Sequence, residues 1–359
     1  MHLSTIALAQ FRNVDWAELR LAEGVTLLTG QNGQGKTTAL EAIHLLATGR
    51  IMRHGRENDA IQHGKDQARV AGTLSSGATL AVTLTRGRKR VAEQNGMKLP
   101  RASDLLGRLP VTSFSAADLD FVAGEPADRR LALDAELSQI SAAYLQHLTK
   151  YRRALQQRNS LLKQAQERPV EDELFETYEE TLAFSGNALR REREAWLAEI
   201  APLATADHAG LGFGEGLAMA YERHDEATTP EDWSLTRRKD VARGSTTLGA
   251  HRDDVEITVR ETDARLYGSQ GQQRTAVIAY KLAVLRALRA HDTQPLLLLD
   301  DVFSDLDQGR RARLLETVSE LAGQVVLTCT EVSLAGPLAE AATLVYRVDS
   351  GTYEATSSP

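Results

Sequence analysis

The chain has 359 residues, 42% of them hydrophobic and 25% charged, with a formal net charge of −7. That length exceeds one simple core and allows two or three units, and the composition is that of an ordinary soluble globular protein. It excludes a membrane-spanning protein, because no apolar run reaches the roughly 18 residues a span needs. Met1-His2-Leu3-Ser4 lacks the charged start and apolar centre of a secretory signal. A single cysteine, Cys329, cannot form an internal disulfide and fits a reducing cytoplasm. The acidic balance gives no general encouragement to nucleic-acid binding, although a local basic face could still steer DNA.

Taken in chain order, the first predicted unit of structure is strand, loop, helix. Gly24 to Thr29 reads as a short apolar strand. Gly30-Gln31-Asn32-Gly33-Gln34-Gly35-Lys36-Thr37 is a complete G-x-x-x-x-G-K-[ST] phosphate-binding loop, and Thr38 to Leu46 continues with helical periodicity. Glycines allow the backbone to curl around a polyphosphate with successive N–H groups pointing inward, and the helix N-terminus adds its dipole. Lys36 then reaches the β- and γ-phosphates, and Thr37 offers its hydroxyl to Mg²⁺. A nucleoside triphosphate ligand follows.

Thr79 to Thr85 alternates as a strand, and Asn95-Gly96 is a tight-turn signal, so a hairpin is expected here. Arg86, Arg88, Lys89 and Arg90 cluster between them. From Ala116 to about Arg243 the chain turns helical, with predicted helices over Leu131–Leu148, Tyr151–Gln166 and Leu174–Leu203. Without sustained heptads, a long coiled coil is not expected. Arg152, Arg153, Arg158 and Lys163 form a second basic run. Runs of this kind are most often solvated surface, and either one could instead contact DNA. Thr205 to Asp232 reads as a loop or short-strand return. His251, Asp253 and Asp254 form no zinc spacing and lead into a strand.

Two further motifs follow downstream. Ser269-Gln270-Gly271-Gln272 opens a helix, with Ser269 as the expected N-cap and a second anion site at the helix start. Pro295 to Leu299 is a strand apolar on both faces, ending in Asp300 and Asp301. A carboxylate at such a strand tip, beside a phosphate loop, is where a Mg²⁺ partner belongs; Asp300 holds the metal and Asp301 orients or deprotonates water. A plain capping role for Asp301 and Ser304 is the alternative.

These runs together resemble the RecF family of recombination mediators, relatives of SMC-type ATPase heads. Further matching segments are Phe11-Arg12-Asn13, Phe121 to Arg130, Tyr151 to Lys163, Gly249 to Asp254, Gly268 to Thr275 and Leu298 to Asp307. The resemblance implies an α/β fold: an ABC-type P-loop ATPase head, SMC-like and in two lobes, carrying a short and mostly helical inserted arm. It places lobe I at 1–115, the arm at 116–243 and lobe II at 244–359. It implies ATP and Mg²⁺ as cofactors and a head-to-tail homodimer. In that dimer Ser269, Gln270, Gly271 and Gln272 act in trans, and Ser304, Asp305 and Asp307 lie in the interface loop. It implies binding to duplex DNA and single–double-strand junctions, with RecR and RecO as partners in recombinational repair. Two departures stand out. Asp301 occupies a position where most cassette ATPases carry Glu, which suggests slow hydrolysis. Thr328-Cys329-Thr330-Glu331 lacks the His found there in transporter-type heads. A small-molecule P-loop kinase or GTPase is the other reading, but no N-K-x-D base-reading run is present.

Overall fold

The computed structural model describes residues 2–52, 57–211, 216–301, 308–321 and 323–356. The chain divides into two compact units. The first comprises Met1–Leu119, Asp207–Gly214 and Val277–Pro359; the second comprises Asp120–Ala206 and Glu215–Ala276.

The first unit begins with β1 (Leu3–Phe11) and β2 (Val14–Arg20), an antiparallel hairpin turning at Arg12-Asn13. Next come β3 (Val25–Thr29) and α1 (Lys36–Thr48), which stops where Gly49, at φ 69°, returns its N–H to Leu45 O. Four antiparallel segments follow: β4 (Gln67–Leu74), β5 (Thr79–Thr85), β6 (Val91–Gln94) and β7 (Met97–Lys98). With β1 and β2 they form a six-stranded sheet in the order β2-β1-β4-β5-β6-β7. The expected hairpin is therefore two hairpins in series. Asn95-Gly96 turns β6 into β7 with both residues at positive φ, and Arg86–Arg90 lies in the separate β5–β6 connection. The short β8 (Val111–Phe114) belongs to the other sheet of this unit.

The second unit is mainly helical, with α2 (Asp120–Ala123), α3 (Pro126–Ile140), α4 (Ala142–Glu167) and α5 (Asp172–Gly210) in sequence. The periodicity over Leu131–Leu148 spans two helices rather than one. Ser141 adopts an extended conformation and its hydroxyl accepts Tyr144 N–H at 3.0 Å, ending one helix and capping the next. That second helix absorbs the predicted Tyr151–Gln166 segment. α5 runs past Pro202 to Gly210, so Thr205–Gly210 is helix and not loop. Then come β9 (Leu217–Glu222), α6 (Pro230–Arg243), β10 (Asp254–Val259), β11 (Thr262–Asp263), α7 (Ala264–Tyr267) and α8 (Gln270–Ala290), whose residues from Val277 on belong to the first unit. The three strands form an antiparallel sheet ordered β11-β10-β9.

Back in the first unit, β12 (Leu296–Asp300), α9 (Gln308–Leu321), β13 (Val325–Cys329), α10 (Pro337–Glu340), β14 (Ala342–Asp349) and β15 (Thr352–Thr356) complete the chain. The second six-stranded sheet runs β15-β14-β3-β13-β12-β8, parallel throughout except for the edge strand β15. Its centre is apolar on both faces, as continuous Leu and Val runs require; Leu27, Leu298, Val326 and Leu327 are fully buried. The core around α1 joins both sheets: one buried cluster holds Leu40, Ile43 and Leu46 of α1 together with Leu8, Val70 and Val82 of the first sheet and Leu298 and Val326 of the second. The parallel arrangement brings the C-terminal ends of β3, β13 and β12 to one edge, where ligands of such sheets bind.

Candidate nucleotide-binding site

The loop between β3 and α1 occupies that edge. Gly30, Gly33 and Gly35 have φ of 149°, 81° and 115°, values that disfavour a side chain. A Cβ on Gly30 would come within 2.4 Å of Val348 O, so the loop can approach β14 only as glycine. Gly35 begins α1 without a side-chain cap, and the N–H groups of a first helical turn have no intrahelical acceptor. These donors are suited to an anion.

Lys36 is buried, and its ammonium group donates to Gly30 O at 2.5 Å and Gln31 O at 2.9 Å. Burial lowers its pKa, while the nearby Asp301 and Asp300 carboxylates oppose that shift. The Thr37 hydroxyl donates to Asp300 Oδ1 at 2.7 Å, joining two motifs 263 positions apart. A hydroxyl and a carboxylate from the protein, completed by phosphate oxygens and water, form the hard oxygen set that Mg²⁺ takes; Thr37 and Asp300 fit it. Asp301 follows at φ 49°, an unusual conformation for a residue with a side chain.

Sequence reasoning did not find the residues that frame this arrangement. Thr328, paired in register with Asp300 on β13, is buried; its hydroxyl donates to Asp300 Oδ1 at 2.9 Å and accepts Asp301 N–H at 3.0 Å. On the outer side of the loop, Asn13 Nδ2 donates to Gln34 O at 3.2 Å, and its Oδ1 accepts the Thr38 hydroxyl at 2.9 Å. Gly351 N–H donates to Gln34 O, Ser350 N–H to Gln34 Oε1, and the Tyr353 hydroxyl to Gly35 O. Arg12 grips Glu41 of α1 through two nitrogens at 3.0 and 3.2 Å. None of these pairings is visible until strand order and register are known.

Cys329 ends β13 beside the site, and burial pushes its thiol up to about 12. Thr330 and Glu331, where transporter-type heads carry His, are exposed.

Ser269 has the predicted capping role. Its hydroxyl accepts Gln272 N–H at 3.3 Å, and Gln272 Oε1 accepts Ser269 N–H at 2.8 Å, a reciprocal capping box. Ser269 and Gln270 are exposed, and Gly271 O accepts the Thr275 hydroxyl. This motif belongs to the second unit and the phosphate loop to the first. Ser304, Asp305 and Asp307 lie outside the described residues.

The basic runs separate into different kinds of residue. Arg86, Arg88 and Lys89 are exposed in the β5–β6 connection, whereas Arg90 is half-buried and ion-paired with Glu57. On α4, Arg153 and Lys163 are exposed, and Arg152 reaches Asp134 at 2.7 Å. Arg158 is fully buried with Glu179 and Asp240, so it belongs to the core and cannot contact DNA. Asp253 accepts from Arg190 and Tyr221, Asp254 pairs with Arg129, and His251 meets the Tyr151 hydroxyl. Those three side chains therefore face three different partners.

Comparison with known proteins agrees with this geometry. Residues 2–353 match the family described as RecF/RecN/SMC N terminal domain. A DNA replication and repair protein RecF of Symbiobacterium thermophilum is 42% identical over 92% of both chains. Another, from Thermosynechococcus vestitus, is 36% identical over 99% of this chain and 98% of its own. A solved structure of the recombination mediator protein RecF with ATP, 29% identical, superposes with a TM-score of 0.89 over 99% of this chain and 98% of that one. An Smc head bound to the C-winged helix domain of ScpA, 13% identical, shares the fold with a TM-score of 0.58 over 99% of this chain and 97% of its own. The parallel sheet with its phosphate loop and acidic strand tip is the ABC-type ATPase head of that group, and the chain belongs to the RecF family.

Proposed function

We propose that this chain is an ATP-switched DNA-binding protein of recombinational repair and replication-fork restart. Gly30 to Thr38 cradle the triphosphate, Thr37 and Asp300 hold Mg²⁺, and Asp301 orients the attacking water. The contact between the Thr37 hydroxyl and Asp300 carries this reading, because it joins phosphate loop and acidic strand in one oxygen-lined site. Magnesium, when bound there, neutralises charge developing on the phosphate oxygens. The shorter Asp301 carboxylate makes turnover slow.

Two chains pair head to tail. Ser269, Gln270, Gly271 and Gln272 of one face the triphosphate held by the other, and Ser304, Asp305 and Asp307 lie along the interface. The exposed capping box at Ser269 supports that role, since it presents a helix start rather than burying it. The lobes are 1–115 and 244–359, with 116–243 as the arm between them. The ATP-bound dimer clamps duplex DNA or single–double-strand junctions, and hydrolysis releases them, so nucleotide and DNA affinities are coupled in both directions. The protein works in the cytoplasm, with RecR and RecO as partners in recombinase loading; the solved RecF relative, a recombination mediator of the RecFOR pathway, supports the partners.

Molar mass in solution, with and without Mg·ATP, tests the proposal for the native chain and Ser269→Arg. The native chain is expected to double with ATP, and the variant to bind ATP yet stay single. A native chain that stays monomeric with both ATP and DNA would overturn the clamp.

A further inference from the structure

The acidic pair at the end of β12 is held from the side by one hydroxyl. We propose that Thr328 is a positioning residue that sets the Asp300 carboxylate and the Asp301 backbone together. This rests on the reading of Asp300 as metal ligand and Asp301 as the carboxylate that orients water.

The parallel register places Thr328 opposite Asp300, and Leu28 of the strand leading into the phosphate loop lies on its other side. Thr328 is fully buried, so water does not compete for its hydroxyl. That hydroxyl has one proton and two lone pairs. The proton goes to Asp300 Oδ1 at 2.9 Å, and a lone pair accepts Asp301 N–H at 3.0 Å. Asp300 Oδ1 also accepts the Thr37 hydroxyl at 2.7 Å. Two threonines, one from α1 and one from β13, therefore donate to the same carboxylate oxygen.

Asp301 turns out of the strand at φ 49°. A left-handed residue with a side chain persists only where its surroundings hold it. The bond from Asp301 N–H to Thr328 fixes its peptide plane and so sets where the carboxylate begins. One side chain thus governs both the metal-holding oxygen and the geometry of the water-orienting residue. Partners that hold a metal ligand in this way typically matter 10- to 100-fold for affinity or activity.

The test compares Thr328→Val, which keeps the branched shape and removes the hydroxyl, with Thr328→Ser, which keeps the hydroxyl and removes the methyl. Three quantities are read: hydrogen exchange at the Asp301 amide in the nucleotide-free chain, the Mg²⁺ concentration that half-saturates binding of a fluorescent ATP analogue, and kcat with KM for Mg·ATP. Thr328→Val is expected to speed the exchange and to raise the Mg²⁺ requirement about 10-fold. Its kcat should fall about 10- to 100-fold with KM nearly unchanged, and Thr328→Ser should restore all three. If the valine chain fails to fold, Thr328→Ala supplies the hydroxyl-free variant without a shape clash. Native exchange and Mg²⁺ dependence in the hydroxyl-free chain would overturn the assignment, as would a serine variant equally impaired. A native chain without ATP turnover would sink the proposed function instead. The exchange and Mg²⁺ measurements would still decide the role of Thr328.

Discussion

In the first unit the adjacent strands β3, β13 and β12 are mostly leucine, valine and threonine with no charged side chain before Asp300, and the charged residues Lys36, Asp300 and Asp301 lie at or beyond the strand ends. The second unit does the reverse. Arg158 is fully buried with Glu179 and Asp240, Arg190 with Asp253 and Asp225, and Arg193 with Asp134. The contrast separates two uses of buried charge. At the sheet edge, Asp300 and Asp301 stay half-buried beside the phosphate loop. Among the helices each guanidinium is already complete, and the carboxylates come from different elements. Arg158 alone ties α4 to Glu179 on α5 and to Asp240 and the Trp233 carbonyl on α6. Such pairs are weak evidence for net stability but costly to break by removing one partner.

The largest effect is expected from Arg158→Met, which leaves Glu179 and Asp240 buried with one cation fewer. A loss of about 3–5 kcal/mol is expected for the second unit, read from urea unfolding. A shift below about 1 kcal/mol would mean that the network relaxes like a surface pair. On the other side of the comparison, Asp301→Asn removes a half-buried charge at the sheet edge. It should leave folding and ATP binding intact and lower turnover by about 100-fold or more, roughly 3 kcal/mol in the barrier. A variant that fails to bind ATP would show that Asp301 is structural.

A smaller effect comes from two half-buried histidines, His44 in the first unit and His251 in the second. Burial pulls His44 down to about 4, against a weaker opposing bond to Arg50 O. It pulls His251 down to about 4 as well. Above about pH 6.5 both are neutral folded and unfolded. Between that pH and about 4 only the unfolded chain takes up the proton, so stability falls as pH falls. At pH 5 the expected loss is about 2 kcal/mol per histidine. Melting at pH 7 and pH 5 checks this, and His44→Gln should halve the change. An equal loss in that variant would assign the pH dependence elsewhere. The smallest effect belongs to the exposed turn of the first unit. Replacing Arg88 and Lys89 by Ala should weaken DNA binding about 10-fold and reduce the salt slope by nearly 2. An unchanged slope would move the DNA face to another surface.

The legible parts of the molecule were those written contiguously. Gly30–Thr37, the strand ending in Asp300-Asp301 and the cap at Ser269 each announce local geometry, because a few adjacent residues determine it. The basic run on α4 misled because charge is ordinarily solvated, yet its spacing held the answer. Tyr151, Ala154, Arg158 and Leu162 share one buried helix face, so Arg158 points inward with them. The break at Ser141 was hidden by apolar periodicity continuing through it. Thr328, Tyr353 and Ser350 were illegible for a different reason. Their roles depend on which strands become neighbours, and no local pattern specifies that β13 lies between β3 and β12.

The hairpin of β14 and β15 has one more consequence. Gln34 receives Ser350 N–H from 316 positions later, and Tyr353 supports Gly35 from as far away. During synthesis the phosphate loop thus leaves the ribosome long before the residues that brace it. A nascent chain halted before Ala342 would display the whole motif yet lack β14, which borders β3, and with it every brace from Ser350, Gly351 and Tyr353. The fully braced loop therefore forms late in translation. Stalled or proteolytically shortened chains would carry the motif without these braces.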